Sequence, residues 1–321
     1  MAARDAVLVA GAGALGSVFG ALLAKAGACV TLLGRPAHLA AVRDRGLVVD
    51  GLFGTHRTRV HECVETPDEL RGSFGTILLT VKSWATRATI ESVAPHLAAD
   101  GVVICLQNGL GNLEAVSDVI GPARVLGGRV IFGAEVTEPG RVRVTVYADP
   151  VLVGATPGAP PASREAACAW AARFDAAGVP SCPTDRLVAE LWAKVFYNAA
   201  LNPLGALLGV AYGRLAQEAS TRAIMDDVIA EAFAVARASG VPLAWASPME
   251  YREVFYGRLV PSTADHRSSM LQDLERGRPT EIDAINGYVA ACGARLAVAA
   301  PVNATLARLI RARVARSAGM P

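Results

Sequence analysis

An α/β domain built on a parallel sheet, followed by an all-α domain, is the fold class that the 321-residue sequence predicts. Two observations carry this. Short apolar runs bounded by glycine alternate with helical segments over the first half of the chain, the pattern of buried parallel strands and their crossover helices. From residue 185 onward the strand-like runs stop and only helical periodicity remains. The predicted domains are therefore 1–184 and 185–321, in keeping with about 100–200 residues per domain.

Residues 6–10 (AVLVA) read as a buried strand, 16–27 as an Ala/Leu-rich helix and 29–33 (CVTLL) as a second strand. Together they have the length of a right-handed βαβ unit, about 30 residues. Further strands are predicted at 76–81, 102–106 and 125–132, with a helix at 85–97 between the first two. The alternation Arg141-Val142-Arg143-Val144-Thr145-Val146 predicts an antiparallel strand with one exposed face. Residues 156–161 (TPGAPP) form a loop, followed by a helix at 163–177 and a last strand at 179–182. Helices follow at 186–200, 221–239, 269–276, 280–297 and 304–316, while 251–263 reads as a loop. In the helix at 280–297, Thr280 takes the N-cap, Asp283 the capping-box position and Glu281 the first turn, where a carboxylate complements the helix dipole.

Composition removes several classes of function. A formal charge of +2 lacks the basic excess of a nucleic-acid-binding protein. No run of strongly apolar residues unbroken by glycine, serine or charge reaches the roughly 18 residues of a spanning helix, so no membrane partner is expected. Arg4 and the apolar stretch 6–24 imitate a leader peptide, but Asp5, Lys25 and three regularly spaced glycines argue for a folded element instead. The six cysteines are scattered without a CxxC pair, which predicts a reduced, cytoplasmic protein. His56, His61 and Cys63 match no zinc spacing, so no metal is expected. Oligomeric state is not legible, with a homodimer left open.

Gly11-Ala12-Gly13-Ala14-Leu15-Gly16 is a G-x-G-x-x-G turn between the first strand and its helix. The glycines suit a tight turn, close approach of backbone to a pyrophosphate and helix–strand contact, and the helix N-terminus attracts the phosphates. These residues define a Rossmann-type dinucleotide-binding domain. The second strand ends in Gly34-Arg35 rather than in the Asp or Glu that accepts a ribose 2′-hydroxyl. A guanidinium there pairs with a 2′-phosphate, which predicts NADP(H). Two polar clusters at strand ends, Thr80-Val81-Lys82-Ser83-Trp84 and Gln107-Asn108-Gly109, suit the crevice where ligands of open parallel sheets bind.

Only three of the 31 basic residues are lysines: Lys25, Lys82 and Lys194. A chain that prefers arginine keeps lysine where a compact ammonium able to release a proton is needed, although Lys25 reads as an ordinary surface residue. Lys194, Asn198 and Asn202 fall at i, i+4 and i+8, hence on one face of an otherwise apolar helix. That stripe is either an internal hydrogen-bond network or a pocket wall, and the scarcity of lysine favours the pocket. Ser269 and Asp273 share a face of a later helix, and Trp84 and Trp192 read as packing residues or cleft walls.

The ordered set GAGALG, LLGR, VKSW, QNGLGN, WAKVFYNAALNP and SSMLQDLERGRPTEIDAINGY resembles the ketopantoate reductase (2-dehydropantoate 2-reductase) family, from near residue 6 to near residue 305. The resemblance implies NADPH-dependent reduction of 2-dehydropantoate to (R)-pantoate in pantothenate biosynthesis, with the active site in the cleft between a Rossmann domain and a helical domain. It implies Lys194 as the catalytic general acid and Glu281 as an active-site glutamate. Asn108, Asn198, Asn202 and Ser269 become substrate-binding residues. Gly11, Ala12, Gly13, Ala14, Leu15, Gly16, Arg35, Lys82 and Asn108 become cofactor-binding positions. Two other functions stay open: reduction of a different 2-oxo acid on the same fold, and a non-catalytic NADP(H)-sensing module. Loss of Lys194 or Glu281 would mark the sensor, and both are present.

Overall fold

The computed structural model describes residues 5–317. Arg4 of the leader-like stretch lies outside the described residues, as do the outer ends of the two predicted domains. The backbone forms two compact units, one of residues 5–107 and 112–187, the other of residues 108–111 and 188–317.

The first unit begins with β1 (Ala6–Ala10), α1 (Ala14–Lys25), β2 (Cys29–Leu33), α2 (Pro36–Arg45), β3 (Leu47–Gly51), β4 (His56–Thr58) and β5 (Glu62–Val64). It continues with β6 (Phe74–Leu79), α3 (Thr86–Val93), β7 (Leu97–Cys105), α4 (Asn112–Ile120), β8 (Val125–Glu138), β9 (Arg141–Ala155), α5 (Pro161–Ala176) and β10 (Ser181–Pro183). The strands form one sheet in the order β4-β3-β9-β8-β7-β6-β1-β2-β5, with β10 beside β9. From β8 to β5 every pairing is parallel, whereas β8–β9 and β3–β4 are antiparallel. The chain leaves β1 toward β2 on one side and later returns to β6 on the other. That reversal is a topological switch point, and it lies between the carboxyl ends of β1 and β6.

The βαβ unit forms because its apolar residues find both faces of a buried sheet. Val7, Val9, Val30 and Leu32 are fully buried with Phe19 and Leu22 of α1. Phe19 meets Phe174 of α5 edge-on, with ring centroids 4.8 Å apart. The leader-like stretch is therefore strand, turn and helix. The alternating strand at 141 runs to Ala155, further than predicted, because it pairs along its whole length with the 14-residue β8.

In the second unit the helices are α6 (Leu187–Leu208), α7 (Tyr212–Gln217), α8 (Ala219–Ala238), α9 (Pro248–Val254), α10 (Ser269–Glu275), α11 (Asn286–Arg295) and α12 (Pro301–Ser317). Phe196 of α6 packs on Phe233 of α8 and Tyr251 of α9, at centroid distances of 5.7 and 5.3 Å. The predicted loop at 251–263 is instead the end of α9, a π-turn at Phe255–Leu259 and a 3-10 turn at Pro261–Thr263. The buried rings of Tyr251 and Phe255 draw that segment into the core. No helix among the described residues is long and apolar enough to cross a membrane.

Candidate active site

The Gly-rich turn sits at the switch point. The N–H groups of Gly11 and Ala12 both donate to the Leu33 carbonyl, at 3.0 and 2.8 Å, and Thr80 Oγ1 donates to the Gly11 carbonyl at 2.8 Å. Gly11 has φ +112°, and a Cβ there would lie 2.6 Å from the Val81 nitrogen. A Cβ on Gly16 would lie 2.3 Å from the Gly11 oxygen and 2.6 Å from Thr80 Oγ1. Gly13 differs, because the nearest atom to its Cβ position is 4.0 Å away and the residue is exposed. The protein itself does not require glycine there, but a phosphate lying against the backbone would. Gly13 is the N-cap of α1 with no side-chain cap, so Ala14, Leu15 and Gly16 open the helix with N–H groups that lack intrahelical acceptors. This is the geometry a dinucleotide pyrophosphate fits.

Arg35 is exposed at the N-cap of α2, two residues beyond β2, and no described carboxylate pairs with it. Three residues on, His38 is buried and links the first turns of α1 and α2 to the β8–β9 turn. Its Nδ1 accepts from the Gly140 N–H at 3.2 Å, so its proton resides on Nε2, which donates to Ser17 Oγ at 3.0 Å. Burial pushes the His38 pKa below the usual 6.5. Lys82 is half-buried at the start of a 3-10 turn after β6. Trp84, read from sequence as a packing residue or a cleft wall, is 60% exposed and so does not pack in the core, because that turn carries it outward.

In the second unit three predicted site residues meet. Lys194 Nζ donates to Asn108 Oδ1 at 2.7 Å, and Asn108 Nδ2 donates to Glu281 Oε2 at 3.4 Å. The Asn108 amide thus stands between an ammonium on α6 and a buried carboxylate. Its short segment is tightly held. Leu110 N–H donates to the Ala284 carbonyl at 2.8 Å, and a Cβ on Gly109 (φ +81°) would lie 2.5 Å from that same oxygen.

The use of Ala284's carbonyl by Leu110 corrects the helix predicted at 280–297. Ile285 leaves helical geometry (φ −110°, ψ −101°), so Ile282–Ala284 is a separate 3-10 turn and α11 begins at Asn286. Glu281, not Thr280, holds the N-cap position of that turn, and the buried Thr280 hydroxyl has no partner. Asp283 makes no capping box. It pairs with Arg311 of α12 at 2.5 Å.

Asn198 and Asn202 are buried on the same helix as Lys194. No described residue hydrogen-bonds the Asn198 side chain. Asn202 Oδ1 accepts from the Tyr212 hydroxyl at 2.5 Å, which turns its NH2 group away as a free donor. Burial holds the Tyr212 phenol well above its ordinary pKa, so it stays a donor. Ser269 is exposed at the first turn of α10 and makes no hydrogen bond to the Lys194 group. Its neighbour Ser268 is the buried N-cap, accepting from Leu271 N–H at 3.0 Å. Among the described residues no group of three or more His, Cys, Asp or Glu can hold a metal ion. His56 instead accepts from Lys25 Nζ at 3.0 Å and donates to the Phe53 carbonyl at 2.7 Å.

Sequence reasoning missed Tyr212, which belongs to an unpredicted helix, and Asn286, discussed below. Asn112 also went unread, and the partners of Gln107, placed from sequence in a strand-end cluster, were not foreseen. Gln107 Nε2 donates to Thr86 Oγ1 at 2.6 Å, and Thr86 donates to Asn112 Oδ1 at 2.7 Å.

A glycine turn at the switch point of a parallel sheet and a lysine–amide–carboxylate group on a helical unit are features of a dinucleotide-dependent oxidoreductase. Residues 7–158 match the family model for ketopantoate reductase PanE/ApbA, and residues 186–314 match the model for the C terminal of ketopantoate reductase PanE/ApbA. The chain belongs to the ketopantoate reductase family.

It is 35% identical to a 2-dehydropantoate 2-reductase of Aquifex aeolicus over 95% of this chain and 96% of the relative. It is 36% identical to one from Archaeoglobus fulgidus, over 95% and 96%. Among solved structures, a PanE/ApbA family ketopantoate reductase from Ralstonia eutropha superposes with a TM-score of 0.86 at 32% identity, covering 98% of this chain and 99% of that one. D-mandelate dehydrogenase, solved with NADH and anilino(oxo)acetate, also reaches 0.86 over 98% and 99% of the two chains. At 24% identity that likeness is one of fold.

Proposed function

We propose that this chain reduces 2-dehydropantoate (ketopantoate) to (R)-pantoate with NADPH, a step toward pantothenate and coenzyme A. The observation that carries this reading is the hydrogen-bonded group Lys194–Asn108–Glu281 in a chain of this family. Bound NADPH supplies the hydride that reduces the C2 ketone. Negative charge then grows on the ketone oxygen, where Lys194 Nζ stabilises it and delivers the proton. General acid catalysis of this kind is worth about 10²–10⁴-fold. Arginine would be a poor replacement because it does not readily release a proton.

Asn108 Oδ1 accepts one ammonium proton and so fixes the direction of the other two. Glu281 holds the other end of that amide. The free NH2 of Asn202, the amide of Asn198 and the hydroxyl of Ser269 supply neutral donors for the substrate carboxylate and hydroxyl. Gly11, Ala12, Gly13, Ala14, Leu15 and Gly16 take the pyrophosphate, Arg35 the 2′-phosphate, and Lys82 and Asn108 complete the cofactor contacts. On this reading residues 1–184 bind the cofactor and residues 185–321 supply the acid and the substrate donors. Its compartment is the cytoplasm, a reading supported by six unpaired cysteines.

The test is NADPH oxidation with ketopantoate beside pyruvate, 2-oxoisovalerate and oxaloacetate, repeated with NADH. Preference for ketopantoate and NADPH is expected. Faster turnover of another oxo acid would discard the pantoate role while keeping Lys194. NADPH binding without any turnover would leave a sensor.

A further inference from the structure

α6 carries an internal proline, Pro203, whose ring nitrogen has no hydrogen to give to the carbonyl four residues back. That carbonyl belongs to Ala199, between the site residues Asn198 and Asn202. Buried in the core, it would otherwise lack its helical partner. Asn286 supplies one, its Nδ2 donating to the Ala199 oxygen at 3.0 Å. Asn286 is fully buried and begins α11, five residues beyond Glu281.

The direction of the Asn286 amide is set from a distance. Glu231 of α8 accepts the Val302 and Asn303 backbone N–H groups, each at 2.9 Å, at the start of α12. A carboxylate and a backbone carbonyl only accept, so Asn303 turns its NH2 toward Glu231, at 2.8 Å, and toward the Val228 carbonyl, at 3.2 Å. Asn303 Oδ1 is then left as the acceptor for the second Asn286 proton, at 3.0 Å. Both Asn286 protons are committed, and flipping the amide would set oxygen against oxygen at Ala199 and at Asn303.

We propose that Asn286 is a positioning residue: by filling the gap that Pro203 opens in α6, it fixes the register of the Lys194 helix against the segment that carries Glu281. The catalytic half of this rests on Lys194 as the proton donor, while the pairing of Asn286 with Pro203 stands on geometry alone. Asn286 touches no reacting atom, so its removal acts through the Lys194–Asn108–Glu281 spacing. Misplacement of such a group by about 1 Å costs on the order of a hundredfold in rate.

The experiment is a cycle of Asn286→Ala, Pro203→Ala and the double variant, with denaturant midpoint, kcat, KM, NADPH affinity and the pH profile of kcat measured for each. Asn286→Ala should lower the midpoint and cut kcat by about tenfold to a hundredfold, with NADPH affinity unchanged. The pH limb of kcat should shift, because the Lys194–Asn108 contact is loosened. In the Pro203→Ala background Ala199 regains a helical N–H, so removing Asn286 should cost less stability there. An equal stability cost in both backgrounds would overturn the pairing. Unchanged kcat and pH profile in Asn286→Ala, with wild-type turnover intact, would overturn the positioning role.

Should Asn286→Ala fail to fold, Glu231→Gln takes its place. It keeps the volume, removes the charged acceptor that shares the Asn303 NH2 with the Val228 carbonyl, and should lower kcat with NADPH affinity retained. Unchanged kcat there would overturn the part of Glu231 in the relay. Absence of turnover in the wild-type chain itself would remove the catalytic reading, and the stability cycle would still decide the Pro203–Asn286 pairing.

Discussion

Replacing Gly13 by alanine separates a glycine the fold needs from one a ligand needs. Gly13 has φ −84° and ψ −161°, within reach of any residue, and its new Cβ would have no protein atom nearer than 4.0 Å. The substitution changes only the N-cap of α1, where alanine is less favourable than glycine by about 0.5–1 kcal/mol. For a chain of this size that lowers Tm by a few degrees at most. Gly16→Ala instead drives a Cβ to 2.3 Å from the Gly11 oxygen, a backbone atom that cannot swing aside. That variant should lose the first βαβ unit. If the space over Gly13 receives the pyrophosphate, Gly13→Ala should keep its fold and weaken NADPH by at least about tenfold, or about 1.4 kcal/mol. Thermal melting and NADPH fluorescence titration on both variants test this. Wild-type NADPH affinity in a folded Gly13→Ala protein would refute the placement of the phosphates.

Other outcomes follow from the same sites. Arg35→Ala should weaken NADPH far more than NADH, and equal losses would show that Arg35 does not read the 2′-phosphate. Tyr212→Phe frees the Asn202 amide to rotate, so KM for ketopantoate should rise several-fold with kcat little changed; an unchanged KM would remove Tyr212 from the site. His38 is held neutral by burial, so its folded pKa lies below the unfolded 6.5. The unfolded chain therefore binds more protons in that interval. Stability from His38 is present above pH 6.5 and declines as pH falls toward its folded pKa. Denaturant midpoints from pH 8 to pH 5 should fall more steeply for wild type than for His38→Gln, and parallel curves would contradict this.

Most of the parallel sheet was legible because its strands are buried on both faces and read as unbroken apolar runs. The strands at 6–10 and 29–33 emerge with their predicted limits. The segment from α2 to β5 was not divided into elements from the sequence. Its strands are three to five residues long, and α2 buries only His38, Leu39 and Val42, too few for a period.

At the site, Lys194 stood out through the scarcity of lysine, and Asn108 and Glu281 through family motifs. That they share one hydrogen-bonded group was not readable, since it depends on a contact between positions 86 and 173 residues apart. The break at Ile285 carries no glycine or proline. It arises because a distant N–H, that of Leu110, takes the Ala284 carbonyl. Pro203 was a usable signal. A proline inside a buried helix implies an orphaned carbonyl four residues earlier, and hence a donor to be sought elsewhere.

The most direct test of the central claim compares wild type with Lys194→Ala in ketopantoate-dependent NADPH oxidation, with NADPH affinity measured on the same preparations. Turnover should fall by about 10²–10⁴-fold while NADPH affinity is retained, because the proposed role of the lysine is on the ketone oxygen and that of the Gly-rich turn is on the cofactor. Wild-type turnover in Lys194→Ala would contradict the assignment of the proton to Lys194.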